Sequence, residues 1–491
     1  MFVNKSLIGR IFIAFSLITS LFGCGGGSSG NTFLPSVSSS TSAAFSGPIA
    51  GIGSIVVNGV RFETVGVTVE DPDDIYGTQV FNKSLALGMT VALAGNVYSQ
   101  SNTGTPTKIR VIGGVRGQVS AKTLTSITTL NGQTVTVDTN TVFVGSRTSL
   151  ATIAVNDYVE IYCVVQANGD FLATRVVSQL TQFTMSNKLA ILGTIDSITS
   201  ENNYVVRTSS TETVTVVCDP TVTPACLITP TGVTLGVGMA VRVLAADTTS
   251  FNAGVLTATK IQLINQDVLT TFTGVTPSFV RIKGFTSQVG TDWYVGNTLT
   301  AGYTFTVGQY VEVKGNLVNG VLQVISVDTE SNRNVNNVPY KNEFYGSVSS
   351  KSGATFVVQG VTVDATSAVM TGGTLLGLAN GNYVEVRGTM NNGVLIAITV
   401  DIKNSSSTYS STIFTNGQFE IYGTATGLTS LANSFTITTA NPTLAYTALA
   451  NNAIVTGNNI VNGSIVEAKG YMDSNQKFII TKMEVKNPSF A

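Results

Sequence analysis

Apolar residues alternate with polar ones in short runs along most of the chain, and one such run recurs. It starts with a small or polar residue and ends in an alternation of the Val-x-Val kind. The copies are Gly88-Met89-Thr90-Val91-Ala92-Leu93, Asn156-Asp157-Tyr158-Val159-Glu160-Ile161, Gly238-Met239-Ala240-Val241-Arg242-Val243, Gly308-Gln309-Tyr310-Val311-Glu312-Val313, Gly381-Asn382-Tyr383-Val384-Glu385-Val386 and Gly463-Ser464-Ile465-Val466-Glu467-Ala468. Their starts are 68, 82, 70, 73 and 82 residues apart. A period of two residues predicts half-buried strands, and near-regular recurrence predicts a repeat.

Each phrase follows a glycine that opens an earlier strand: Gly53, Gly117, Gly193, Gly284, Gly346 and Gly423. Glycine early in a strand permits a barrel-corner bend. A closing strand comes after the phrase, as in Ala173-Thr174-Arg175-Val176 and Ala258-Thr259-Lys260-Ile261. Hairpins are signalled at Asn58-Gly59, Asn131-Gly132 and Gln359-Gly360 before the phrase, and at Asn168-Gly169, Asn319-Gly320 and Asn392-Gly393 after it. Such pairs suit type I′ turns, which need positive φ at both central residues.

The expected fold is therefore all-β: a tandem array of about six small antiparallel units of about five strands each. The units span 48–112, 113–180, 188–266, 279–329, 342–402 and 417–488, with a linker at 403–416. Closing each sheet into a barrel of the OB type is one way to remove its exposed edges, and a strongly coiled open sheet is another; the opening glycine fits the barrel. The fourth unit has the shortest path from opening glycine to phrase, which predicts a missing hairpin or short loops. The glycine opening, the Gly-x-Tyr-Val-Glu-Val phrase and the Ala-Thr-Lys/Arg-Ile close resemble a bacterial lipoprotein repeat family, domain of unknown function 5666. That resemblance implies an OB-like barrel and a cell-envelope setting, with no activity and no site residues.

Residues 1–23 read as a secretory signal, with Lys5 and Arg10 before a short apolar run. The ending Leu21-Phe22-Gly23-Cys24 resembles a bacterial lipobox, which implies lipidation and cleavage at Cys24. Gly25 follows where inner-membrane retention would place Asp, so the outer membrane is the expected address. Residues 24–47, rich in Gly, Ser and Thr, are expected to form a flexible tether.

Composition narrows the chemistry. Only 11% of the 491 residues are charged, and there is no histidine. That removes Ser-His-Asp catalysis and imidazole-bound metals. Lys+Arg 26 against Asp+Glu 27 leaves no basic excess for nucleic acid. Cys218 and Cys226 flank a Pro-punctuated loop and are expected to form a disulfide in an oxidising compartment. Cys163, inside an apolar run, reads as a core residue.

The pairs Tyr158/Glu160, Tyr310/Glu312 and Tyr383/Glu385 each fall on the strand face opposite the valines. They are the candidate ligand face; the plainer reading is that tyrosine covers the barrel and glutamate keeps it soluble. The acidic stretch Glu70-Asp71-Pro72-Asp73-Asp74 lacks a calcium-loop pattern and reads as a solvated loop. Neither a metal nor a cofactor is expected. The function expected is that of a non-enzymatic, lipid-anchored envelope protein that binds a protein or polysaccharide or acts as a spacer. The alternatives are a polysaccharide hydrolase using paired carboxylates, and an adhesin or matrix component.

Overall fold

A computed structural model describes residues 40–486 apart from 53–54, 65–66, 75–80, 82–83, 99–102, 222–224, 265–276, 330–333, 336–337, 340–341, 403–418, 432, 439–444, 452, 457–459 and 473–476. The signal, Cys24, the linker 403–416 and Gly53 lie outside these residues.

The fifth unit shows the plan. Its first strand, Asn342–Ser352, pairs antiparallel with Thr355–Val358, which pairs antiparallel with Val361–Asp364. The third strand runs parallel to the fifth, Val394–Ile402. The fifth pairs antiparallel with the fourth, Tyr383–Asn391, and the fourth returns to the first. The closed order 1-2-3-5-4-1 is that of an OB-like barrel. The first, second, fourth and sixth units close in the same order. In the third unit the fifth strand is broken into Val255–Thr257 and Lys260–Leu263, and the ring closes through both pieces.

Local sequence accounts for the turns. Both residues have positive φ at Asn58-Gly59, Asn319-Gly320, Gln359-Gly360 and Asn392-Gly393, as a type I′ turn requires. At Asn131-Gly132 and Asn168-Gly169 only the glycine does.

The opening glycine faces the first valine of the phrase across strands one and four: Gly117 opposite Val159, Gly193 opposite Val241, Gly284 opposite Val311, Gly346 opposite Val384 and Gly423 opposite Val466. In the first barrel that register position belongs to Gly47, opposite Val91, and not to Gly53. The reason for glycine is close approach. A Cβ on Gly47 would lie 2.7 Å from Asn58 Oδ1, and one on Gly193 would lie 2.3 Å from the Arg207 carbonyl oxygen. The first strand accordingly begins at Ser40, inside the stretch expected to be tether. It pairs with Thr90–Tyr98 from Ser40 onward, and Ala43, Ala44 and Phe45 are fully buried there.

Each barrel has its own apolar core. Yet the barrels are not beads in series. The first and fourth share an eleven-stranded sheet through parallel pairing of Ala43–Ser46 with Phe279–Ile282, and the second and third share a fourteen-stranded sheet. Barrels of this size bury too little apolar surface to be very stable alone, and shared sheets add to it. The fourth barrel keeps all five strands. Its shortening falls in the connection between strands three and four, where every other barrel carries an extra short strand.

Candidate functional site

The outward positions of the repeat phrase do not face water. Glu160 is 3% exposed, Glu312 7% and Glu385 5%, and Tyr158 and Tyr310 are half-buried. The side chain of Tyr383 lies outside the described residues. Outward from one barrel is inward to a seam with another, and each glutamate pairs there with an arginine of its own barrel. Arg116 Nη2 donates to Glu160 Oε1 at 2.6 Å, Arg281 Nη1 to Glu312 Oε1 at 3.3 Å, and Arg387 Nη2 pairs with Glu385. At Tyr310 the ring packs 4.7 Å from Phe285, with Lys283 Nζ 5.2 Å from its centroid.

The acidic stretch at 70–74 is likewise no solvated loop. It leaves the first barrel and enters the seam between the second and third. Asp73 takes bonds from Arg116 Nη1 at 2.8 Å and from Arg242 Nη1 at 2.8 Å, and both arginine side chains are 1% exposed. Lys260 Nζ reaches Asp74 Oδ1 at 3.2 Å, while Glu70 pairs with Lys108 and Arg110. Burial works against charge on Asp73, but Arg242 and Arg116 together hold its carboxyl well below the usual range. The loop stays in place because two buried guanidinium groups need a carboxylate.

The first barrel makes such contacts with all five others. Against the second, Thr174 Oγ1 donates to the Gly88 carbonyl at 2.6 Å and Arg175 Nη1 to the Leu87 carbonyl at 3.0 Å. Against the third, Arg242 Nη1 donates to the Pro72 carbonyl at 2.8 Å as well as to Asp73. Against the fourth, Asn58 Nδ2 donates to the Arg281 carbonyl at 3.2 Å, beside the shared strand pairing. Against the sixth, Glu63 pairs with Lys469, and Thr64 Oγ1 donates to Glu484 Oε2 at 3.3 Å.

The seam with the fifth barrel holds a carboxyl shifted the other way. Arg61 stacks over Tyr345, 4.7 Å from the ring centroid, and Tyr345 Oη donates to Glu343 Oε1 at 3.1 Å. Arg387 Nε donates to the same oxygen at 2.6 Å. Burial and the neighbouring Glu385 push the Glu343 carboxyl up, and Arg387 only partly offsets them. A raised folded value means that ionising Glu343 costs stability as pH climbs from 4.5 through that value. Glu343→Gln should therefore melt above wild type at pH 7 and equal it near pH 4, which calorimetry across that range would check.

Cys218 and Cys226 form a disulfide, and both side chains lie in the core of the third barrel. An unreduced digest should yield the bridged peptide. Its reduction should cost about 2–3 kcal/mol, the chain-entropy value for so small a loop, and urea titrations with and without reductant would measure it. Cys163 is buried, and burial pushes its thiol up to about 12, which keeps it protonated and inert. It lines a cavity of about 130 Å³ where the first four barrels meet, with Thr90, Phe171, Leu192 and Lys283 among the other walls. That is room for about one benzene ring.

No curated protein matches the chain. Among solved structures it is similar to Drosophila Unr CSD456 at 14% identity, covering 42% of this chain and 90% of that one, with a TM-score of 0.14. It is also similar to a multidomain protein with nucleic acid binding domains from Streptococcus pneumoniae TIGR4, at 11% identity, 43% and 71% coverage and a TM-score of 0.13. Scores this low carry no argument about fold or ligand. Residues 116–177 and 345–401, within the second and fifth barrels, match the family described as Domain of unknown function (DUF5666), which is consistent with repeats of that family in the chain.

Proposed function

We propose that the chain is a non-enzymatic, lipid-anchored scaffold of the bacterial envelope, a block of barrels that presents binding surfaces at a membrane. One observation carries this reading: the first barrel is ion-paired or hydrogen-bonded to every other barrel, which makes a stiff body out of units too small to be rigid alone. The carboxylates that a hydrolase would need at the repeat phrase are committed to arginine partners in the seams. Their burial favours a structural use over a catalytic one. Attachment rests on the lipobox-like sequence ending at Cys24. The outer membrane is its address because Gly25 follows the cysteine.

Expressing wild type and Cys24→Ala in a Gram-negative host with labelled palmitate tests it. Wild type should carry the label and fractionate with the outer membrane, and the variant should be unlabelled and absent from it. Equal membrane recovery of both would refute the anchor.

A further inference from the structure

In five of the six barrels a short strand from the connection between strands three and four lies parallel to strand five and covers one of its edges. The covering strands are Val69–Glu70, Val142–Gly145, Leu227–Thr229, Val369–Thr371 and Ile454–Thr456. The fourth barrel has none: its fifth strand, Val321–Thr329, pairs only with Thr298–Ala301 and Tyr310–Val318 among the described residues.

Exposure records the difference at equivalent register. The core-facing residue is Ile109, Val176, Ile261, Val400 and Met483 in the covered barrels, exposed by 1% or less. Val327, which takes that place in the fourth barrel, is half-buried, and Ser326 before it is exposed where Thr399 is buried. Ile325 is 61% exposed. Asp328 Oδ1 is buried with no hydrogen-bond partner among the described residues.

We propose that this edge is a docking site for an extended peptide strand of a partner protein, added parallel to Ile325–Asp328. An open strand edge offers its backbone groups to such an addition. The five internal strands define what fits. The residue opposite the Val327 position is Val69, Phe143, Ile228, Met370 or Val455, always apolar. Before it stands an aliphatic residue in Val142, Leu227, Val369 and Ile454. After it, threonine faces an acid twice, Thr371 opposite Asp401 and Thr456 opposite Glu484. Asp328 occupies that acidic position, so a threonine or serine hydroxyl of the incoming strand can donate to its unsatisfied oxygen. The partner segment is thus aliphatic, apolar, then Thr or Ser. The site rests on the binding-scaffold reading, but it does not depend on the lipid anchor.

Hydrogen exchange of the full soluble body with a synthetic peptide of residues 366–373 tests the site. The peptide carries the fifth barrel's own covering strand. At millimolar peptide, exchange at 325–328 should slow, saturating at one peptide per chain. In a second protein, residues 302–307 are replaced by residues 365–380, so that the fourth barrel supplies its own cover. Its 325–328 amides should be protected without peptide, and peptide should add nothing. The proposal fails if peptide leaves exchange unchanged, or if it protects the grafted protein equally. Protection of 325–328 in the untreated wild type would also overturn it, because the chain itself would then cover the edge. None of these outcomes bears on palmitate labelling, so the anchored-scaffold reading stands or falls separately.

Discussion

Asp73→Ala should cost about 3–5 kcal/mol of stability, the loss expected when one member of a buried ion-pair group is removed. The carboxylate sits between Arg116 and Arg242, both 1% exposed. Its deletion leaves two guanidinium groups facing each other across the seam, with Glu160 as the remaining ion-pair partner of Arg116. Urea unfolding at pH 7 would measure the loss. The pH dependence gives a second check. Because the folded carboxyl is held below 3.8, its contribution is fully present above that value and fades as pH falls further. The gap between wild type and Asp73→Asn should therefore narrow below pH 3.8. A gap that stays constant would mean the aspartate acts through shape and not charge.

The second large effect is expected at Gly51, in the first barrel. A Cβ there would stand 1.8 Å from the Glu343 carbonyl oxygen of the fifth barrel and 3.0 Å from Val56 Cγ2. The obstacle is backbone, which cannot rotate away as a side chain can. Gly51→Val should therefore cost about 1–3 kcal/mol, as overpacking does, and push the fifth barrel off the first. The bond from Asn342 Nδ2 to the Ala50 carbonyl, 3.3 Å long, and the stacking of Arg61 on Tyr345 would go with it. Small-angle scattering should show a larger radius of gyration for the variant. An unchanged scattering curve at unchanged stability would contradict the close seam.

Much of each barrel was legible because its signals are local. The phrase, the Asn-Gly turns and the opening glycine act over a few residues, and strand alternation separates core from surface without tertiary knowledge. The failure at Gly53 is also local: Gly51-Ile52-Gly53 looks like a barrel opening, and only cross-strand register assigns the place to Gly47. The seams were illegible for a different reason. Alternation correctly puts Glu160, Glu312 and Glu385 outside their own barrels, but it cannot say that another barrel lies there.

One trace of the seams does stand in the sequence. In a chain with so few charges, Arg242 stands at the centre of an apolar phrase where other copies carry glutamate, and Arg116 adjoins the opening glycine. Arginines so placed call for a distant acid, and Glu70–Asp74 is the densest acidic run. The open edge of the fourth barrel could be suspected from its short connection, but only the five covered barrels show what is missing.

The hub arrangement also sets an order of waiting during synthesis. Glu63 meets Lys469 across 406 residues of sequence, so one flank of the first barrel stays bare until the last barrel exists. An apolar flank would be an aggregation hazard for that whole interval. The flank built of Glu63 and Thr64 can stand in water for that interval, as Asp73 and Asp74 can until the second and third barrels exist, and each gives up its hydration only when its partner arrives. The charged seams thus let a many-barrelled chain be made from one end without a sticky intermediate.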